Sequence, residues 1–150
     1  MANYLDISGK SSEAGQGRLP KLRGQIAPTS TLTSDTTLYD YNSGTTYFCD
    51  GSSAIDITLP SAKAGLNFKF IATDTTADID IIQAAASEDF IGFILDGAGT
   101  KDSATSSDTK IIFDTSGGSS AGDWVSLSCD GTNWYVQGAC SSAADLVFGS

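Results

Sequence analysis

The strictest constraint on this chain is a period of two. In "AIDITLP" (54–60) Ile55, Ile57 and Leu59 alternate with Asp56 and Thr58, and successive side chains of an extended backbone point to opposite faces. "GLNFKFIAT" (65–73) repeats the pattern with Leu66, Phe68 and Phe70 against Asn67 and Lys69, and "ADIDIIQ" (77–83) with Ile79 and Ile81 against Asp78 and Asp80. Each run is short and ends in Gly, Pro, Asn, Asp or Ser, the residues that make turns. Almost nothing recurs at helical spacing; "QAAASEDF" (83–90) offers one or two turns at most. The expectation is an all-β chain: a single antiparallel sandwich, jelly roll or small barrel of about nine or ten short strands. Further strands are expected in "TTLYDY" (36–41), "TTYFC" (45–49), "TKIIFD" (109–114) and "DLVF" (145–148). "FIGFIL" (90–95), nearly continuous in apolar residues, reads as a central strand buried on both faces. The polar stretches 96–108 and 114–123 read as long loops with solvent-facing tips.

Both tryptophans lie in "DWVSLSCDGTNWYVQG" (123–138), one on either side of an Asp-Gly step. Asp-Gly between two alternating runs signals a hairpin, because both residues tolerate positive φ. A two-residue loop at Asp130 and Gly131 sets Leu127 opposite Trp134 and Val125 opposite Val136. Trp134 then joins Leu127, Val125 and Val136 on a core face. Trp124 and Tyr135 become diagonal neighbours on the other face, beside Asn133 and Gln137. That second face has three open readings: a platform for sugars, a contact between subunits, or a surface covered by a loop.

The chain has 150 residues, the size of one ordinary domain. Its net charge of −10 speaks against nucleic acid as a partner, since phosphate affinity comes from clustered Lys and Arg. The charge is unevenly placed. Residues 1–24 hold Lys10, Arg18, Lys21 and Arg23 against Asp6 and Glu13, a balance of +2, whereas the remainder holds four Lys against sixteen acids, a balance of −12. Residues 1–34 carry no sustained period and are expected to form an extended arm, with 35–150 as the all-β body. Within the arm, "RLPKLRGQIAP" (18–28) alternates basic and apolar residues between two prolines, which suits a segment laid along a partner's surface or sheet edge.

Histidine is absent, which removes Ser-His-Asp and Cys-His mechanisms and His-containing zinc sites. Cys49, Cys129 and Cys140 have no metal-ligand spacing and are expected to be free, buried thiols. Asp74, Asp78 and Asp80 in "DTTADID" lack the glycine and terminal glutamate of a calcium loop. No catalytic residue, cofactor or metal is expected. No stretch is long and apolar enough to span a bilayer, and "MANYLDISGK" lacks the order of a signal peptide, so synthesis in a cytoplasm is the expectation and no membrane partner is.

"ITLPSAKAGLNFKFIA" (57–72) followed by "GDWVSLSCDGTNWYVQG" (122–138) resembles small β-domains in structural proteins of tailed bacteriophages, above all the decoration or cement proteins on the outside of phage heads. Related segments occur in phage tail-fibre proteins. The likeness covers about the last two thirds of the chain and carries no catalytic signature. It implies a virion protein on the outer capsid surface, a homotrimer rather than a dimer, whose partner is the major capsid protein. The capsid-binding arm would then use Arg18, Lys21 and Arg23 toward capsid carboxylates and Leu19, Leu22 and Ile26 toward apolar sites. The chain has no repeat or coiled segment of the kind a fibre shaft needs. A carbohydrate-binding or receptor-binding module of a phage tail protein is the alternative, with Trp124, Tyr135, Asn133 and Gln137 as its face.

Overall fold

A short strand with one apolar face must bury that face against a second layer. In the computed structural model, which describes residues 27–150, the chain does this by crossing to the opposite sheet after each of its first six strands. These are β1 (Thr29–Leu32), β2 (Thr36–Thr37), β3 (Thr46–Asp50), β4 (Ile55–Thr58), β5 (Asn67–Asp74) and β6 (Ile79–Ile82). β1, β3 and β5 lie side by side and parallel in one sheet, and β2, β4 and β6 do the same in the other. The later strands are β7 (Phe90–Leu95), β8 (Lys101–Ser103), β9 (Lys110–Phe113), β10 (Trp124–Cys129), β11 (Trp134–Ala139) and β12 (Leu146–Gly149). They complete a seven-stranded sheet, β1-β3-β5-β10-β11-β7-β8, and a five-stranded sheet, β12-β9-β6-β4-β2.

The all-β sandwich expected from the sequence is therefore present, but its sheets are mixed rather than antiparallel. Parallel neighbours need a crossover connection, and here the crossover is a strand of the opposite layer. Thr29–Leu32 falls within the stretch read as arm, yet it pairs with β3 as the outermost strand of the larger sheet. The single core between the sheets takes Tyr47, Phe68, Phe70, Val125, Leu127 and Trp134 from one side and Ile55, Ile57, Ile79, Ile81, Ile111 and Phe113 from the other.

Four local readings are corrected. The β10–β11 loop has four residues, not two, so Cys129 faces Trp134 and Leu127 faces Val136. The cause is Asp130, whose carboxylate accepts the backbone N–H groups of Thr132 and Asn133 at 2.8 and 2.9 Å and so widens the turn. A slip of two preserves the faces, and Trp134 is fully buried as expected. Second, β7 is not central. It lies next to the edge strand β8, and although Phe90 and Ile94 are buried, Ile91, Phe93 and Leu95 are exposed. Third, the long polar stretches are structured: 96–108 contains β8, and in 114–123 Ser119 and Asp123 are buried. Fourth, residues 83–89 form turns and bends, not helix.

That last segment aims Glu88 inward. Its carboxylate accepts the Trp134 indole N–H at 3.3 Å and the Ala62 backbone N–H at 2.8 Å, so a buried acid and a buried indole satisfy one another. Phe68 packs on the same indole, with ring centroids 5.9 Å apart. Across the strand, Gly92 lets β7 approach β11: its φ is +149°, and a Cβ there would lie 2.0 Å from the Val136 carbonyl oxygen.

Much of the aspartate serves turns. Asp74 accepts from the Thr76 hydroxyl and N–H, Asp96 from the Thr100 and Ala98 N–H groups, and Asp114 from the Ser116 hydroxyl and N–H. These bonds favour the ionised carboxyls and hold Asp74, Asp96, Asp114 and Asp130 below the ordinary carboxylate range. Because the folded-state values are depressed, the stabilisation is present above the unfolded-state value and is lost as pH falls through the folded one. The urea midpoint should hold steady near neutrality and fall once the pH drops below about 4. A midpoint that rises on acidification contradicts this account of the turns. Trp134→Ala should cost about 3–5 kcal/mol in the same titration.

Candidate functional site

The face of the larger sheet that points away from the core is set by the strand registers, which align its side chains in three rows. One row is Asn67, Ser128, Tyr135 and Ile91. The next runs Thr29, Thr46, Lys69, Ser126, Gln137, Phe93 and Ser103. The third crosses all seven strands as Thr31, Phe48, Ile71, Trp124, Ala139, Leu95 and Lys101. Its middle is apolar over five consecutive strands.

Two properties set this face apart. It keeps large apolar groups in solvent: Ile91, Phe93, Leu95 and Tyr135 are 38–46% exposed, where a sheet normally presents polar residues outward. Its three rows also hold no acid. No Asp or Glu occupies a position in the three rows, although residues 27–150 contain sixteen; the acids of this sheet's end, Asp50 and Asp74, pair with each other beyond a register shift at the last residue of β3. Lysine completes the contrast. Lys63 pairs with Asp40 at 2.8 Å and Lys110 with Asp80 at 3.0 Å. Among the described residues the other two lysines, Lys69 and Lys101, both belong to this face and have no ion-pair partner. Their ammonium groups lie over aromatic rings, Lys69 at 4.7 Å from the Trp124 centroid and Lys101 at 5.9 Å from that of Phe93, as a ring quadrupole favours.

The residues singled out in the sequence are not brought together as one platform. Trp124 pairs with Ala139 and Tyr135 with Ser128, so the two stand about 13 Å apart along the strands, and Trp124 is partly covered by Lys69. Tyr135 and Gln137 do meet, in a shallow depression of about 330 Å³ shared with Ile91, Phe93, Ser126 and Ser128. The neighbouring Asp130 carboxylate raises the phenol's pKa. Asn133 belongs to the turn, where its side chain accepts the Asp89 N–H at 3.3 Å. Arg18, Leu19, Lys21, Leu22, Arg23 and Ile26 lie outside the described residues.

Other reactive groups serve the structure. Cys49, Cys129 and Cys140 are free and buried. Burial pushes the Cys49 thiol up to about 12, which suppresses the thiolate at neutral pH. Asp78 accepts from Thr115, Asp80 pairs with Lys110, and Asp74 closes its own turn. Among the described residues no three His, Cys, Asp or Glu side chains converge as a metal ion requires, and no helix is long and apolar enough to cross a membrane.

The residues that sequence reading missed are Ile91, Phe93 and Leu95. Their signal was present as the apolar residues of "FIGFIL", but hydrophobicity marks a buried face and an unpartnered one alike. Compared with protein-family models, curated proteins and solved structures, the chain matches none.

The two indoles should differ in solution as they do in the fold. Acrylamide should quench the emission of Trp124 and leave that of Trp134, so Trp124→Phe removes most of the quenchable signal. Equal quenching of both indoles in the native protein contradicts the placement.

Proposed function

We propose that this protein is a structural component of a tailed-phage virion, a decoration or cement protein that binds the outer surface of the capsid and stabilises the shell. The observation that supports this reading most is the reversal of charge along the chain. A segment of balance +2 precedes a body of balance −12, and it leads into β1, the outermost strand of its sheet. A basic, apolar-punctuated segment next to an edge strand suits recognition by extended pairing with a partner. In this reading Arg18, Lys21 and Arg23 meet carboxylates of the major capsid protein while Leu19, Leu22 and Ile26 fill shallow apolar sites. A clip that binds only the expanded shell stabilises that state by linkage, and a homotrimer carrying three arms gains avidity. The acidic body faces solvent. No reaction and no cofactor enter this role.

Deleting residues 1–26 should leave the body folded and abolish co-sedimentation with expanded phage heads that lack their decoration protein. Retained, saturable binding by the truncated chain would sink the proposal.

A carbohydrate- or receptor-binding role in a phage tail protein is the second reading, favoured by the depression that joins Tyr135 and Gln137 beside Phe93. A glycan screen separates the two: glycan binding lost in Tyr135→Ala with head binding absent selects the module.

A further inference from the structure

We propose that the outer face of the seven-stranded sheet is the surface by which one copy of this chain packs against a carboxylate-bearing surface of another copy. The inference rests on the self-association contained in the virion reading and names the surface that makes it.

Two bodies of balance −12 repel wherever their acids face one another, and repulsion of this kind is what keeps strongly charged proteins apart. The three rows from Thr29 to Lys101 are the place where that repulsion is missing, because no acid stands in them and the two unpaired lysines do. Depletion of acid with enrichment of aromatics is the compositional mark of an interface centre; Trp124, Phe93, Tyr135 and Phe48 supply the aromatics. Seven strands at about 4.8 Å spacing and about six residues of depth give roughly 600 Å² per copy. Burying that area on each of two partners totals about 1,200 Å², within the range of a specific contact.

The same residues decide the geometry. Lys69 stands on the third strand of the sheet, inside the face and not at its rim. Packing two copies front to front would bury both Lys69 side chains with no carboxylate in the three rows of either face, and an unpaired buried charge is strongly unfavourable. The face therefore seeks a different surface on its neighbour, one that brings acid to Lys69 and Lys101. The rest of residues 27–150 is such a surface: it holds all sixteen of their acids, against two lysines already paired. Contact between two unlike surfaces is heterologous, and it closes into a ring where the rotation permits.

Sedimentation equilibrium of the purified full-length chain tests this without a capsid, so that its failure and the failure of head binding are separate results. The expected result is a concentration-dependent oligomer that weakens when salt rises from about 0.05 to about 0.5 M. Lys69→Glu with Lys101→Glu should weaken it at least about tenfold, about 1.4 kcal/mol, and Phe93→Ser with Leu95→Ser should do the same. Urea midpoints of these surface variants near that of the parent chain establish that they fold. Three results would overturn the proposal. One is a monomer up to about 100 μM, which would put any self-association weaker than about −5.5 kcal/mol. Another is an oligomer indifferent to both double variants. The third is a dimer that persists in high salt and in the lysine variant but is lost in the Phe93/Leu95 variant, which is the front-to-front apolar contact. A monomer that binds a saccharide through Tyr135 and Phe93 would assign the face to a glycan instead.

Discussion

The crossing of the chain between layers is what the rest of this molecule depends on. Each of the first six strands buries its apolar side by facing a strand of the opposite sheet, so β1, β3 and β5 cannot be placed without β2, β4 and β6. The two parallel stacks grow together, and the inward residues of each, such as Phe70 and Ile57, are covered only when the other exists. The second half of the chain then closes the open sides: β10 runs antiparallel along β5 and β9 along β6. Long-range pairing of this kind carries a large loop-closure cost before contacts are made. The many side-chain-bonded aspartate turns shorten the search by fixing connections locally.

From this construction follows a division of the surface. The smaller sheet carries Asp56 and Asp80 on its outward side, and the loops carry most of the other acids. The larger sheet, whose inner side holds Trp134, Phe68 and Phe70, exposes an outer side whose three central rows carry neither acid nor a full set of polar residues. Sixteen acids in residues 27–150 placed so that none enters the three central rows of one broad sheet leave a face suited to contact. The basic segment directly precedes β1 in sequence, and β1 is the outermost strand of this sheet.

The faces of the strands were legible in the sequence because a period of two records them directly: Ile55, Ile57, Phe68, Phe70, Ile79 and Ile81 are buried as their alternation requires. Strand direction was not, since alternation says which way a side chain points and nothing about which strand lies beside it. The hairpin register was missed by two residues because the Asp-Gly step suggested a tight turn, while the Asp130 carboxylate builds a wider one. Glu88 gave a weak signal. It is the single glutamate after residue 13 in a chain that otherwise uses aspartate, and the longer side chain is what reaches the Trp134 indole. The platform of Trp124 and Tyr135 dissolved through the same register change that left the faces intact. The exposed apolar row was hidden in "FIGFIL", whose residues serve a core on one side, as Phe90 and Ile94, and solvent on the other, as Ile91, Phe93 and Leu95.

The central functional claim is that the segment before β1, and not the body's acid-rich surface, engages a capsid. Hydrogen exchange followed by mass spectrometry, on the full chain free and bound to expanded phage heads lacking their decoration protein, tests it most directly. The account predicts slowed exchange across residues 1–26 and along β1 on binding, with the smaller sheet unchanged. Exchange in residues 1–26 that is the same in both states, with protection appearing elsewhere on the body or not at all, would contradict it.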